Sequence, residues 1–353
     1  MKTIDRSTQF MAGLLALIFL VAFSLSAGGE NLEVYDAHEP TQATLDKADS
    51  RILISKLPFA IATGGSYYLD GDLTSDANGI IVDANNVTID LAGFSIVGPG
   101  SGINYGIYMN GRRNVQICNG TVKDFTGTYQ QGGGIVENDG IGHRVVDIRA
   151  VSNGRGIVIK GSGHVIRDCS LVENTSYGIH VGMSSTVTGN TCYGNHDRGI
   201  SAYGSCTVTG NTCCDNGNQG ILCDGTGGST VSGNTCWSNW IGIQVLDGST
   251  VIGNTTSDNK HSGIHVRRGC LIKDNTLRQN NQYNIYVEQQ GNTIEENLLT
   301  NSTYGIYFNS GSNFYSNNRF SGNINDYVNP GGNTDGGGNQ SFKMSGLPSG
   351  KSE

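Results

Sequence analysis

Between residues 155 and 203, six side chains of types that bind anions and move protons recur at outward positions of one strand of a repeat. They are Arg155, Lys160, Tyr177, His180, Arg198 and Tyr203. An arginine or lysine can neutralise the carboxylate of a sugar acid and so make the proton at C5 more acidic. A histidine or tyrosine can take or return that proton. Because β-elimination and C5 epimerisation both begin by breaking the C5–H bond, these residue types point to chemistry on a uronate polymer.

Roles can be assigned to these residues and to two further tyrosines. The predicted catalytic residues are His180, Arg198, Lys160 and Tyr203, and the predicted substrate-binding residues are Arg155, Tyr177, Tyr108 and Tyr286. Two alternatives stay open. The cluster can be a solvated polar face without function, or the protein can bind sugar without chemistry. In the second case outward tyrosines such as Tyr108, Tyr286 and Tyr307 stack on sugar rings.

A repeat of 21 or 22 residues must position these side chains. Each repeat contains a Gly-Ile pair, or Asn-Ile once, whose first residues are Gly79, Gly106, Gly134, Gly156, Gly178, Gly199, Gly220, Gly242, Gly263, Asn284 and Gly305. The first two steps are longer, at 27 and 28 residues, which predicts insertions near residues 99–105 and 124–133. Loops that project from a rigid stack often form the walls of a binding cleft.

Short runs of alternating apolar and polar residues in each repeat indicate strands with one buried face. About 21 residues accommodate three short strands and three turns, and stacked coils place equivalent residues about 4.8 Å apart. The sequence shows no helical period of useful length, which disfavours βαβ folds and helical repeats. We therefore predict an all-β, right-handed parallel β-helix: a single-stranded solenoid of about eleven coils with an N-terminal cap.

Stacking assigns each position of the repeat to a column along the axis. Asparagines recur in two turn columns, where amides can bond to backbone and to one another. Cys192, Cys213 and Cys236 share an inward column, which predicts buried thiols packed as small apolar groups rather than disulfides. His180 and His265 share an outward column but lie four coils, or about 19 Å, apart. They cannot form one acid–base pair.

Hydrolysis of a glycosidic bond is less favoured than proton abstraction. Glycosidases usually need two carboxyl groups about 5–10 Å apart. Asp197 and Asp224 lie on neighbouring coils but at different phases of the repeat. Asp70, Asp72 and Asp76 cluster at a turn and could hold Ca²⁺, yet their spacing differs from that of an EF-hand loop. We expect turn or capping roles for them, and we predict no metal site and no cofactor.

A resemblance to a known superfamily supports the fold. The run Asn86-Val87-Thr88-Ile89-Asp90-Leu91-Ala92-Gly93-Phe94 resembles the first coil of many pectate-lyase-like proteins. The repeats from about Leu57 to Asn323 are similar to the parallel β-helix repeats of that superfamily. Its members include lyases, hydrolases, uronate epimerases and non-enzymatic binding proteins. The resemblance therefore implies the fold and an association with carbohydrate, whereas the reaction must be argued from the site.

The first 27 residues have the order of a secretory signal peptide. Lys2 and Arg6 precede an apolar run from Met11 to Phe23, and small residues up to Ala27 follow. This run is shorter than the about 20 apolar residues of a membrane span. We therefore expect cleavage, no membrane span afterwards, and a monomer that is secreted, periplasmic or at the cell surface. An uncleaved anchor is the alternative.

The remaining sequence divides into three segments. They are an N-terminal segment and cap at 28–61, the β-helix at 62–328 and a Gly-rich, irregular tail at 329–353. Residues 41–54 have weak helical character within the cap.

Charge and composition narrow the choice of partner. The formal net charge is −8, and loss of Lys2, Arg6 and Asp5 with the signal peptide would make it −9. An acidic chain without a basic tract is a poor binder of nucleic acid. We predict an exported protein that binds or processes an extracellular polysaccharide, by lyase or uronate epimerase chemistry rather than hydrolysis if it is an enzyme. The alternative is a non-enzymatic glycan-binding or structural cell-surface protein.

Overall fold

In a computed structural model, residues 50–127, 131–329 and 331–342 are described, and they form a parallel β-helix with three faces. The predicted signal peptide and most of the predicted cap, at residues 1–49, lie outside the described residues. Every element in the described part of the chain is a strand, and no helix there is long and apolar enough to cross a membrane. The predicted all-β parallel β-helix is therefore confirmed.

The first face, which carries the predicted site, is a sheet of 13 strands. Its strands are Phe59–Ile61, Ile80–Val82, Tyr105–Met109, Gly133–Ile141, Ile157–Ser162, Ile179–Met183, Ile200–Tyr203, Gln219–Asp224, Ile241–Val245, Ser262–Val266, Tyr283–Val287, Tyr304–Phe308 and Asn325–Val328. The predicted number of eleven coils is wrong, because the first and last of these strands lack the Gly-Ile pair on which it rested.

The second and third faces belong to one sheet of 25 strands, because the long strands Val115–Lys123 and Arg144–Val151 run through both. The second face also contains Ile52–Ile54, Gly65–Leu69, Val87–Asp90, Val165–Arg167, Thr186–Thr188, Thr207–Thr209, Thr230–Ser232, Thr250–Ile252, Leu271–Lys273, Thr293–Glu295, Phe314–Ser316 and Thr334–Asp335. The third also contains Leu73–Thr74, Ser95–Val97, Ser170–Val172, Thr191–Tyr193, Thr212–Cys214, Thr235–Trp237, Thr255–Ser257, Thr276–Arg278, Leu298–Thr300, Arg319–Ser321 and Gln340–Phe342.

The stack extends beyond residues 62–328 at both ends. Ile52–Ile54 is a strand that pairs with Gly65–Leu69, so the helical expectation is wrong for these residues. Thr334–Asp335 and Gln340–Phe342 lie in the predicted tail and pair with the preceding coil. The sequence did not predict these two strands, because the segment is rich in glycine and the strands are too short to show alternation of apolar and polar residues.

A continuous apolar core fills the stack. In the inward column of the first face, Val181, Ala202 and Val245 are each 0% exposed. Cys192, Cys213 and Cys236 are aligned in register on the third face and are also fully buried, which confirms the predicted thiol column. All nine cysteines are unpaired in the structure. Like side chains stack on like, so each coil repeats the packing of its neighbour.

Two asparagine ladders hold the corners of the coils, as predicted. Asn195 is typical: its Nδ2 donates to Asn216 Oδ1 at 2.9 Å and to the Leu171 carbonyl at 3.0 Å. Its Oδ1 accepts from the backbone N and the Nδ2 of Asn174. An unsatisfied buried amide costs about 1–3 kcal/mol, so complete pairing is what makes a buried polar column tolerable. In the second ladder Gly189 precedes Asn190 with φ of 67°, a conformation that favours glycine.

A third corner column uses mixed residue types. Backbone N–H groups donate to His143, His164 and Ser185 in succession, and then to further serines and asparagines. The imidazoles of His143 and His164 stack with centroids 5.2 Å apart. His143 Nε2 lies 3.4 Å from Glu137 Oε2, and both side chains are 0% exposed. This histidine–carboxylate pair therefore supports the corner and cannot reach a substrate.

Candidate functional site

Strand register on the first face brings the predicted residues together. His180 pairs with Val158 on one neighbouring strand and with Ser201 on the other. Four steps of this register lead from His180 to His265, so the predicted separation of the two histidines is confirmed. Each outward column is thus a row of side chains with one member per coil, about 4.8 Å apart.

A cleft of about 220 Å³ lies at the predicted cluster, and its lining residues are Arg155, Val158, Lys160, Tyr177 and His180. Four of the eight predicted site residues therefore share one cavity. We call this cavity with the neighbouring Arg198 the cationic cleft. Val158 faces outward but is only 1% exposed, because it lies among these longer side chains.

His180 is the candidate base of the cationic cleft. Its ring centroid lies 5.4 Å from that of Tyr177. Its Nδ1 atom is buried and has no hydrogen-bond partner among the described residues. Burial, followed by repulsion from Lys160, Arg198 and Arg155, lowers the pKa of His180 to about 4. The imidazole is therefore neutral at neutral pH, and because a neutral imidazole has one unprotonated ring nitrogen, it can accept a proton.

Arg155 forms one wall of the cleft. The residue is only 8% exposed, and its Nε donates to the Gly132 carbonyl at 3.0 Å. Burial lowers the pKa of Arg155, while the nearby Tyr105 and Tyr177 oppose that shift. Gly132 belongs to the second predicted insertion, and its carbonyl contacts Arg155, but no described residue of that insertion is among the lining residues of the cleft. The charge of Arg155 is thus held in place by backbone rather than by a carboxylate.

Arg198 borders the cleft on the next coil. Its guanidinium carbon lies 5.5 Å from the Tyr177 ring centroid, and its Nε donates to Gln219 Oε1 at 3.0 Å. Gln219 Nε2 donates in turn to Gln244 Oε1 at 2.7 Å. Asp197 Oδ1 is 4.0 Å from Arg198 Nε and offsets part of its charge. The glutamines orient Arg198 toward Tyr177 without a close ion pair.

Lys160 and Arg155 differ from Arg198 in their electrostatics. Within the described ranges, no carboxylate lies at ion-pair distance from either side chain. Lys160 is exposed at the mouth of the cleft. Arg155 and Lys160 therefore present positive charge that no described carboxylate neutralises, and such charge favours binding of an anionic group.

Three predicted residues do not line the cleft. Tyr203 is 46% exposed and sits opposite Asp224 on the neighbouring strand. Tyr108 stacks on Tyr105 with centroids 4.9 Å apart, and its hydroxyl accepts from Asn138. Tyr286 is five coils from His180, or about 24 Å along the axis. It belongs to a different group of side chains.

That group is an aromatic surface on four consecutive coils of the same face. Its members are Trp240, His261, His265, Tyr283, Tyr286, Tyr304 and Tyr307, which contact one another through ring centroids 4.8 to 6.3 Å apart. Its chemistry contrasts with that of the cationic cleft. The rings are neutral, and its carboxylate, Glu288, lies 3.1 Å from His265 Nε2.

Sequence reasoning missed Tyr105, Gln219 and Gln244 as supports of the cleft. Tyr105 precedes Gly106 in the way that Arg155 precedes Gly156, so extending that column to earlier repeats would have found it. Gln219 lies in the same column, but nothing in the repeat indicates that it bonds to Arg198. Its role depends on which rotamers two neighbouring long side chains adopt.

No group of three or more potential metal ligands occurs in the part of the chain that the structure describes. Asp72, one of the three turn aspartates, accepts from the backbone N of Ser95 at 2.7 Å. This contact links two neighbouring coils. Asp224 has a buried Oδ1 without a partner among described residues, and burial raises its pKa.

Comparison with known proteins supports the fold. The profile of a family described as "right handed beta helix region" matches residues 72–212, 155–270 and 262–343. Among curated proteins, none matches the sequence significantly.

Several solved structures are similar in fold. The A-module of the mannuronan C-5 epimerase AlgE6 of Azotobacter vinelandii is 19% identical, with 79% of this chain and 91% of that chain covered and a TM-score of 0.63. The catalytic unit of a GH87 α-1,3-glucanase of Streptomyces thermodiastaticus is 16% identical, with 80% and 62% covered and a TM-score of 0.59. A variant of the periplasmic alginate epimerase AlgG is 13% identical, with 83% and 76% covered and a TM-score of 0.55. At these identities the likeness shows the fold alone.

Proposed function

This chain belongs to the right-handed β-helix family, and we propose that it is an exported enzyme that acts on a uronate-containing polysaccharide at the cationic cleft. One observation carries the proposal. His180 is neutral, lines the cleft, and is surrounded by Arg155, Lys160 and Arg198. A neutral base among cations that are at most partly neutralised is suited to removing a proton next to a carboxylate.

The proposed chemistry begins with binding of the uronate carboxylate by Arg155, Lys160 and Arg198. Their charges stabilise the negative charge that develops on the carboxylate when C5 loses its proton. His180 accepts that proton, and the electron pair of the C5–H bond passes into the enolate. Binding of the anion also offsets the repulsion that lowers the pKa of His180, so the base becomes stronger in the complex.

The enolate has two possible fates. Return of a proton to the opposite face of C5 gives the epimer, for which Tyr177 is the candidate donor. Expulsion of the oxygen at C4, with formation of a C4–C5 double bond, gives an unsaturated sugar and a shortened chain. Both outcomes start from the same bound state, and the cleft residues support the shared first step.

Similar structures support this choice of substrate class. Two of them are described as C-5 or alginate epimerases, and C5 epimerisation is one of the two outcomes above. The third is described as an α-1,3-glucanase, yet no carboxylate is among the lining residues of the cationic cleft. We therefore favour proton abstraction over hydrolysis. Export follows from the signal-like residues 1–27 and places the enzyme in the periplasm, outside the cell or at its surface.

The second candidate is a non-enzymatic glycan-binding protein. The aromatic surface favours it, because a protein that only binds sugar needs rings and hydroxyls rather than a base. It predicts retention of glycans without any product and without an effect of removing His180.

The test is solvent exchange at C5. The protein is incubated with polymannuronate and polygalacturonate in D₂O, and the products are examined by NMR and by the ultraviolet absorbance of unsaturated sugars. We expect deuterium at C5 or an unsaturated product, and we expect His180→Ala to abolish both. His196→Ala is the matched control, because His196 is exposed on a turn one coil away. If neither exchange nor product is found with any uronate polymer, the proposed lyase and epimerase activities are excluded.

A further inference from the structure

The aromatic surface has features that the stability of the stack does not require. Its rings stack between coils: Tyr286 and Tyr307 have centroids 5.8 Å apart at an interplanar angle of 7°, and Tyr283 and Tyr304 are 5.4 Å apart at 20°. Such contacts stabilise neighbouring coils. Stacking alone, however, does not require hydroxyl groups, and it does not require a ring to stay in solvent at the edge of the group.

The hydroxyls of the four tyrosines have no protein partner among the described residues. Burial and the neighbouring tyrosines raise the pKa of Tyr283, so its phenol stays protonated. At the edge of the group, Trp240 is 48% exposed and stacks on His261 at 5.8 Å. The surface therefore combines an accessible indole with a row of hydroxyl groups that can donate and accept.

Most charged side chains around the aromatic surface are paired, although the exposed Lys260, next to His261, is in no ion pair with a described residue. Asp247 lies 3.0 Å from Arg267 Nε and 2.9 Å from Arg268 Nη2, and Glu288 pairs with His265. This arrangement contrasts with the cationic cleft, where Arg155 and Lys160 have no carboxylate nearby. A carboxylate on a ligand would be repelled by Glu288 and would find fewer unpaired cations here than in the cationic cleft.

We propose that the aromatic surface is a second carbohydrate-binding site, and that it takes uncharged sugar residues. A neutral pyranose has apolar C–H faces that pack on an indole or phenol ring and hydroxyls that bond with tyrosine hydroxyls. Trp240 provides the exposed ring, and Tyr283, Tyr286, Tyr304 and Tyr307 provide the hydroxyls. The site lies on other coils than the cationic cleft and uses none of its residues, so it does not depend on the proposed uronate chemistry.

The chain contains two tryptophans, which make the experiment selective. Trp237 ends a strand of the third face and is 37% exposed, whereas Trp240 begins the aromatic surface. Trp237→Phe leaves Trp240 as the sole indole, and Trp240→Phe leaves Trp237. Each variant is titrated with neutral hexasaccharides of glucose, mannose and galactose and with a mannuronate hexasaccharide, while tryptophan emission is recorded.

We expect at least one neutral hexasaccharide to change the emission of Trp237→Phe to saturation and to leave that of Trp240→Phe unchanged. The proposal is overturned if no neutral hexasaccharide changes the emission of Trp237→Phe. It is also overturned if the mannuronate hexasaccharide changes that emission at the same concentration as the neutral ones. It is also overturned if the emission changes with protein concentration alone, since a second copy would then be the occupant.

Three further variants test the tyrosine hydroxyls and the independence of the two sites. Tyr286→Phe combined with Tyr307→Phe keeps the stacked rings but removes two hydroxyls, and should weaken neutral-glycan binding about tenfold. Tyr193→Phe on the third face, 43% exposed, is the matched control and should have no effect. Arg198→Gln should also leave neutral-glycan binding unchanged. Loss of neutral binding in Arg198→Gln would show that the two sites are one, and would refute the proposal while leaving the uronate chemistry standing.

Discussion

The cationic cleft and the aromatic surface share two outward columns of one sheet. In the column before the Gly-Ile pair, the cleft has Arg155 and Arg198, where the aromatic surface has Tyr283 and Tyr304. In the column after it, the cleft has His180, and further along the axis the same column contains tyrosines. The backbone path is repeated, and only the outward side chains change.

This difference shows how a solenoid separates stability from function. Inward positions must fill one continuous core, so they stay apolar from coil to coil. Outward positions face solvent or one another, and they can change type between neighbouring coils. Gln219 and Gln244 mark the boundary, because Gln219 bonds to Arg198 on one side and to Gln244 on the other. The coils of Arg198 and Trp240 are two steps apart, or about 10 Å.

The largest expected effect is that of His180→Gln. Removing a general base typically lowers the rate about 10²–10⁴-fold, and turnover should fall by this factor because the cations that hold the substrate are retained. Initial rates of C5 deuterium exchange measure it. Binding of neutral glycans at the aromatic surface should be unchanged. A rate loss of less than about tenfold would remove His180 from the role of base.

Arg198→Gln should have the next largest effect. A hydrogen bond to a charged group contributes about 1.5–3 kcal/mol, so the Kd for a uronate hexasaccharide should rise about tenfold or more. Calorimetric titration measures it. Trp240→Phe should leave this Kd unchanged, which makes it the control. Equal weakening by both substitutions would contradict the division of the face into two sites.

Tyr283→Ala should reduce stability by about 1–2 kcal/mol, because Tyr283 contacts three other tyrosines and His261. Tyr193→Ala on the third face should cost less than about 0.5 kcal/mol. The midpoints of urea unfolding measure both effects. Equal midpoints for the two variants would show that the ring contacts of the aromatic surface do not stabilise the stack.

The smallest effect concerns pH. His180 must be neutral to act as base, so kcat/KM should fall as pH decreases through its pKa of about 4 in the free enzyme. Lys160 lowers that pKa by repulsion, so Lys160→Gln should move the acid limb to higher pH. If the acid limb came instead from protonation of the substrate's carboxyl group, Lys160→Gln would leave it at the same pH. The pH profiles of kcat/KM for the unaltered protein and for Lys160→Gln therefore distinguish the two explanations. At the aromatic surface, Lys160→Gln should change nothing.

Much of the architecture could be predicted, because the repeat is regular. Asn195 and Asn216, or Cys192 and Cys213, recur at nearly constant spacing, and a constant spacing in a stack means direct contact. Strands and corners were not predicted where the repeat becomes irregular. Phe59–Ile61 and Asn325–Val328 form strands without the Gly-Ile pair, and the corner that contains His143 and Ser185 changes residue type along the stack.

The candidate site was predicted in part for the same reason. Arg155, Lys160, Tyr177 and His180 follow from the columns and do share one cleft. Tyr203 shares a column with long polar residues too, but its side chain is in solvent. Position in a repeat determines which way a side chain leaves the sheet, whereas its rotamer determines what it touches.

The amino-acid sequence by itself determined the stack, its faces and the identity of each column, because a period near 21 residues and alternating burial permit only coils in parallel register. The tertiary structure alone decided the contacts between coils: Arg155 with the carbonyl of Gly132, Arg198 with Gln219, and the tyrosines with one another. These depend on insertion loops and on the packing of long outward side chains. No spacing rule encodes such choices, since several rotamers fit the same backbone.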